Sequence, residues 1–393
     1  MAKGRSSKAQ KRRAASVVIV GGGIMGCAAA YELAKSGASV TVLERSVPGA
    51  EASSAAAGIL GAQVEAHAPG PLTELGLASR KLYPKWVREL EQRSGIAVGY
   101  RRAGVLKVGY DRVAVRRLLR EVAWQGRAKL PLERLAARAL RTREPALSEK
   151  LAGGVRFEAD ALIDPRALLA ALRVSAEQCG AEFRSGSFVK RIAFEGGRAA
   201  GVELDDGDLV RGSHVVLAAG SWTSLVAAPA ERTPRVVPAR GQIVELKTSV
   251  PLLSSVVFGP DCYLVPRADG RLLVGSTLEF VGFRREVTAG AVAKLLSAAI
   301  RLVPALADAE LLGSWASFRP YTPDELPLLG PSASLGGLIM MSGHYRNGIL
   351  LAPISARIVA ACVLGLRPPL RLEPFSPDRR ASAPERRARG RAT

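Results

Sequence analysis

A run of β-branched residues ending in three consecutive glycines constrains this chain more than any other feature. Val17-Val18-Ile19-Val20 reads as a short buried strand running directly into Gly21-Gly22-Gly23-Ile24-Met25-Gly26, a G-x-G-x-x-G spacing. Ile24–Lys35 suits a helix stopped by Gly37, and residues 39–43 are β-branched enough for a second strand that ends at Glu44. Together these make a complete βαβ unit. Each glycine has its own physical duty there: Gly21 permits the tight turn, Gly23 lets a pyrophosphate reach backbone amides at the helix N-terminus, and Gly26 lets helix and strand pack closely. Glu44 is placed to accept a hydrogen bond from a ribose 2′-OH and to repel a 2′-phosphate, an exclusion that neighbouring Arg45 softens. Strand, glycine turn, helix and acid together predict dinucleotide binding, with NAD and FAD both open at this point.

The whole chain has 393 residues, 48% of them hydrophobic, enough for two or three domains at about 150 residues each. Its formal charge of +21 would suit a nucleic-acid or membrane-surface protein. The distribution of that charge argues otherwise. Residues 1–16 carry six Lys and Arg and no acid, and residues 367–393 carry eight Arg against Glu373, Asp378 and Glu385. About half the excess therefore lies in two basic arms, expected to be disordered. A membrane span needs ~20 apolar residues; residues 17–31 are too few, and residues 326–345 are broken by Pro, Gly and Ser. The basic N-terminus lacks the leucine-rich core and cleavage site of a secretory signal, so a cytoplasmic location is expected. Cys27, Cys179, Cys262 and Cys362 are far apart, which fits reduced thiols rather than a disulfide scaffold or zinc ribbon. With His67, His214 and His344 as the only histidines, no metal site is expected.

Two later segments decide between the nucleotides. His214-Val215-Val216-Leu217-Ala218-Ala219-Gly220-Ser221-Trp222 reads as a strand ending in small residues, where a sheet can come close to a bound dinucleotide. Residues 337–342 form another buried strand, followed by Gly343-His344-Tyr345-Arg346-Asn347-Gly348 and an apolar helix over 349–364. That helix start is a second anion-friendly N-terminus. Two such termini suit FAD, one at the pyrophosphate and the other where negative charge develops on the reduced flavin. Between these pieces, residues 104–109 and 241–277 read as strands, with an Arg-Leu-Ala-rich helical stretch up to 150. The expected fold is α/β: a Rossmann-like FAD-binding domain at 17–95, 151–236 and 319–366, with an inserted antiparallel-sheet substrate-binding domain at 96–150 and 237–318.

These residues resemble a known family. Val-Ile-Val-Gly-Gly-Gly, the Ala-Ala-Gly-Ile segment after the second strand, Ala-Gly-Ser-Trp and Gly-His-x-Arg-Asn-Gly-Ile-Leu-Leu-Ala-Pro are similar to the flavin-dependent D-amino acid oxidase superfamily. Arg240-Gly241-Gln242, Tyr263-Leu264-Val265-Pro266-Arg267, Val274-Gly275-Ser276-Thr277-x-Glu279 and Arg319-Pro320-x-Thr322-Pro323-Asp324 further resemble its glycine oxidases of thiamine biosynthesis. The resemblance covers residues 16–366.

It implies noncovalent FAD held by Gly21, Gly23, Ile24, Met25, Gly26, Glu44 and Arg45; by Ser53, Ser54, Ala57 and Gly58; by Val189; by Ala219, Gly220 and Trp222; and by Gly343, His344, Arg346, Asn347, Gly348 and Ile349. His344 is open between a polarising role and a capping one. For the substrate, Arg319 would grip a carboxylate, Tyr263 would donate a hydrogen bond to it, and Arg346 would add positive charge. Arg presents a planar fork matched to a carboxylate, and Tyr fits a boundary between apolar and polar surroundings. Cys262, one residue from Tyr263, should face away by strand alternation. The implied reaction oxidises an amine α to a carboxylate, reducing O2 to H2O2, with no side-chain acid or base. The imine then hydrolyses to glyoxylate or passes to the thiazole synthesis machinery as partner. A D-amino acid dehydrogenase, a sarcosine or proline oxidase, and an RNA-associated flavoprotein using the arms stand as alternatives, although nucleic-acid binding is not expected. A homo-oligomer is compatible with all of them.

Overall fold

Ser16–Val20 lies in the middle of a parallel sheet, with Ser39–Glu44 on one side and His214–Leu217 on the other. A strand covered on both faces needs an unbroken apolar run, which Val17 to Val20 supplies. The six strands run in the order Leu328–Pro331, Leu338–Ser342, His214–Leu217, Ser16–Val20, Ser39–Glu44, Glu182–Ser185, antiparallel only at the Leu328–Pro331 edge. This computed structural model describes residues 15–226 and 235–379.

Ile24–Lys35 is buried along nearly its whole length. Helices Pro71–Ser94, Pro165–Gln178 and Gly348–Leu364 surround it and share its core. A helix buried all round must be apolar all round, and the Cys27-Ala28-Ala29-Ala30 run keeps it slim enough for neighbours to approach. The other face of the sheet is covered by the three-stranded layer Val189–Glu195, Arg198–Leu204 and Leu209–Arg211.

The larger sheet has eight strands in the order Glu310–Tyr321, Val237–Lys247, Arg271–Gly275, Tyr263–Pro266, Val256–Phe258, Val105–Gly109, Gly153–Phe157, Glu133–Ala136. It is antiparallel except where Val256–Phe258 meets Val105–Gly109. One face packs against Ala289–Leu302 through Leu295, Ala299 and Leu302. Crossings were expected near 150 and 318, but Gly153–Phe157 pairs with Val105–Gly109 and Glu310–Tyr321 continues to 321, so this sheet reaches a few residues further at both places.

The two sheets are tied together at the segment around residues 51–57. Trp315 Nε1 donates to Ala55 O at 3.1 Å, Arg267 Nη2 donates to Ala57 O at 2.8 Å, and Arg285 pairs with Glu51.

The C-terminal arm differs from expectation. Phe375 is 2% exposed and belongs to the core of the parallel-sheet region. Arg379 forks onto Asp324 at 2.7 and 3.0 Å, and Asp378 accepts from Ala333 N and from Ser332 and Ser334 hydroxyls. Residues 367–379 are therefore a folded strap, because one aromatic finds a core slot and two charges find partners far away in sequence. The expectations for residues 1–14 and 380–393 lie outside the described residues. Phe375→Ala should cost about 3–5 kcal/mol through cavity formation, read as a clear fall in melting temperature; an unchanged melt would show that the strap is not part of the core.

Candidate active site

The edges of both sheets converge on one cavity of about 450 Å³. At one end lie Gly21, Gly23, Ile24 and Met25 with Glu44 and Arg45. Gly21 has φ +106°, and a Cβ there would sit 2.6 Å from Ala218 O, so the turn requires glycine. A Cβ on Gly26 would overlap the Gly21 carbonyl; Gly26 lies behind the cavity wall and sets its shape by packing. Glu44 accepts from Gly22 N at 2.8 Å and Ser46 N at 3.0 Å, which fixes its carboxylate at the cavity edge. Arg45 lies 3.9 Å over the Trp222 ring and pairs with Glu51 at 2.6 Å.

The small-residue segment forms one wall through Ser53, Ala57 and Gly58. Ser53 Oγ accepts from Ile24 N at 2.8 Å, linking this wall to the helix start. Ser54 corrects an expectation: it turns away from the cavity and donates to Gly49 O, since successive residues on the short Ala52–Ala55 helix point in different directions. Val189, Ala219, Gly220 and Trp222 also line the cavity. Of the C-terminal loop, His344, Arg346, Gly348 and Ile349 line it, whereas Gly343 and Asn347 do not. Gly343 turns the chain with φ +72°, and Asn347 is the N-cap of Gly348–Leu364.

The far end is built on the eight-stranded sheet. Tyr263, Gly275, Ile243 and Trp315 stand in one cross-strand row, and Gly241 and Ser317 in the next, with Arg319 two residues on. Period-two alternation puts all of these on one face. Cys262 lies on the opposite side in the other core. A Cβ on Gly275 would overlap the Tyr263 ring, and one on Gly241 would overlap the Arg319 guanidinium. The two glycines thus make the floor on which the Tyr263 ring and the Arg319 guanidinium lie. Arg319 donates to Ser276 Oγ at 2.6 Å and Thr277 O at 3.2 Å. Arg346 makes no hydrogen bond among the described residues, its side chain is 47% exposed, and it meets Glu65 at 3.6 Å. The Glu65 carboxylate raises the Arg346 pKa above its ordinary value.

Glu65, Phe258, Ser276 and Tyr345 also line the cavity and were not singled out from sequence. Ser276 carried a signal as part of the Val274-Gly275-Ser276-Thr277 segment, and Tyr345 by its place between His344 and Arg346; the Tyr345 φ of +48° is rare for a residue with a Cβ.

FAD fits these residues. Neither Gly23 nor Asn347 caps its helix with its own side chain, and both helix starts line the cavity, so, apart from Ile24 N, which donates to Ser53, backbone donors of two helix starts lie at one space. His344 is 3% exposed; Nε2 lies 3.0 Å from Ser355 Oγ, while Nδ1 is buried without a partner in a residue of the cavity wall. Among the described residues no group of three metal-ligating side chains occurs, and no helix is long and apolar enough to cross a membrane.

Residues 16–362 match the model of the FAD dependent oxidoreductase family. The chain belongs to that family. The glycine oxidase of Geobacillus kaustophilus is 38% identical over 364 residues, which is 92% of this chain and 96% of that protein. A crystal structure of glycine oxidase from Geobacillus kaustophilus superposes with a TM-score of 0.89 at 37% identity, covering 94% of this chain and 100% of that one. The bifunctional protein ThiO/ThiG of Synechocystis sp. is 40% identical over 371 residues, 92% of this chain but 54% of that protein, so the chain spans about half the length of that relative. An iminodiacetate oxidase from Chelativorans sp. superposes at TM-score 0.85 with 28% identity, covering 94% of this chain and 100% of that one.

Burial pushes the His344 pKa from 6.5 down to about 3. Its imidazole is therefore neutral in the folded enzyme at working pH. The unfolded chain takes up the proton first, so this group's contribution to stability is present above pH 6.5 and is lost as pH falls toward 3. His344→Asn should flatten the fall in melting temperature between pH 6.5 and 5; an identical pH slope in both proteins would contradict neutral burial.

Proposed function

We propose that this FAD-dependent oxidoreductase oxidises glycine, converting glycine, O2 and water to glyoxylate, ammonia and H2O2. The observation that carries the reading is the pairing of Tyr263 and Arg319 on one sheet face with Arg346 entering from the C-terminal loop, all lining the same cavity. Two guanidinium groups and a phenol suit one carboxylate, and charge-assisted bonds of this kind are worth about 1.5–3 kcal/mol each. Support comes from similarity to glycine oxidases over nearly the full length of both chains.

The two arginines divide the task. The expectation put the grip on Arg319, and the bonds to Ser276 and Thr277 use two of its five N–H donors, leaving a donor on each Nη for a carboxylate. In this reading Arg319, held still by its partners, and Tyr263 clamp the carboxylate, while Arg346, beside Glu65, adds positive charge at the same end. FAD supplies the two-electron chemistry and the return of those electrons to O2. The protein's part is to fix the substrate between the clamp and the small-residue wall, and orientation of this kind accounts for much of the rate. No side-chain base is required of the cavity.

Residues 17 to about 95, 160–236 and 322–366 we take as the flavin-binding part and the eight-stranded sheet with Ala289–Leu302 as the substrate-binding part. The ThiO/ThiG relative joins its equivalent of this chain to a further segment, and we place the product's use in thiazole synthesis for thiamine on that ground. Arg319→Ala and Arg346→Ala should each lower kcat/KM for glycine by about 10²-fold or more with flavin retained, the former also raising KM more. Anaerobic bleaching of the bound flavin by glycine is the direct check. Bleaching by D-alanine or sarcosine but not by glycine would overturn the substrate assignment.

A further inference from the structure

We propose that Glu65 sets the substrate class of this site, admitting amino acids with one carboxylate and opposing those with a second negative charge; this rests on the reading that the Arg346 end of the cavity takes the substrate. Six charged side chains line the cavity. Three belong to the nucleotide end and are already engaged: Glu44 with Gly22 and Ser46 amides, and Arg45 with Glu51. The other three are Arg319, Arg346 and Glu65, so the substrate end carries a single net positive charge. That matches one carboxylate. A second carboxylate meets the Glu65 anion where it would need a cation, and exclusion by an unfavourable charge is as effective as selection by a favourable one.

Glu65 is held in place. Asp160, fully buried, accepts from Gln63 N at 3.1 Å, Val64 N at 2.8 Å and Arg80 Nη1 at 2.7 Å, and Gln125 Nε2 donates to Gln63 O at 2.9 Å. The loop therefore presents Glu65 from a buried polar cage, which is much framework for a residue without a task. Its carboxylate lies 3.6 Å from Arg346 Nε with no hydrogen bond between them. The pair shapes the field without locking Arg346, leaving that fork able to take a ligand. Glu325 also raises the Arg346 pKa but is not among the residues that line the cavity.

The test uses flavin-loaded enzyme and two unreactive probes, acetate and malonate, titrated by the change each makes in the visible flavin bands. Wild type should prefer acetate. Glu65→Gln should shift the malonate-to-acetate Kd ratio toward malonate by about tenfold or more, and the turnover ratio of iminodiacetate to glycine should move the same way. Glu65→Asp, which keeps the charge, should keep the wild-type ratios. Ratios unmoved in Glu65→Gln, or moved equally in Glu65→Asp, overturn the proposal; if Glu65→Gln does not hold flavin, Glu65→Ser is read identically. Wild type that binds neither probe and does not oxidise glycine would instead overturn the glycine reading. A wild type that does both, with ratios indifferent to Glu65, overturns only the present inference.

Discussion

The contact between Gly26 and the Gly21 carbonyl is the constraint from which most of this structure follows. A methyl group at Gly26 would overlap that oxygen, so the Ile24–Lys35 helix can lie against the central strand only with hydrogen at this point. Close packing there buries the helix on every side, and its burial organises the three helices around it. The same approach aims the helix N-terminus into the cavity. Fold and cofactor site are thus set by one backbone-to-backbone distance, and loss of it would affect both together.

A comparable device works at the far end of the cavity, with sheet in place of helix. Gly241 and Gly275 leave gaps in a sheet face otherwise carrying large residues, and the Arg319 guanidinium and Tyr263 ring fill those gaps. Flat side chains lying on bare backbone lose rotamer freedom before any ligand arrives, which lowers the entropic cost of recognition. The opposite face of the same strands packs against a helix through Leu264, Val274 and Val244. Strand alternation therefore separates a rigid support from a polar working surface within single segments of chain.

What was legible in the sequence was what backbone geometry dictates. Glycines at 21, 23 and 26, and again around residues 343–348, satisfy steric conditions few folds impose, so the βαβ unit and the C-terminal strand-loop-helix could be placed closely. What depended on distant partners was not legible. The strap at 367–379 looks like a solvated basic segment until Arg379 is seen on Asp324, 55 residues away. Gly153–Phe157 could not be assigned to its sheet because its partner strand lies nearly 50 residues earlier. Ser53 and Ser54 were indistinguishable as letters, and only the phase of a four-residue helix sends one inward and the other out. Glu65 had no local signature at all, since Arg346, the cation beside it, lies far along the chain.

The bonds from Trp315, Arg267 and Arg285 to the segment around residues 51–57 carry a consequence for how anything enters. That segment is also a wall of the cavity, so the two sheets cannot swing apart without dismantling the wall itself, at roughly 1 kcal/mol or more for each bond broken. A clamshell opening therefore carries the cost of these bonds, which a side-chain movement at the cavity rim does not. Half-exposed Arg346 lines the cavity, and its side chain can turn without breaking any of those bonds. Side-chain rotation is far faster than domain motion, so a rim that rearranges through one arginine responds sooner than one that waits for a hinge.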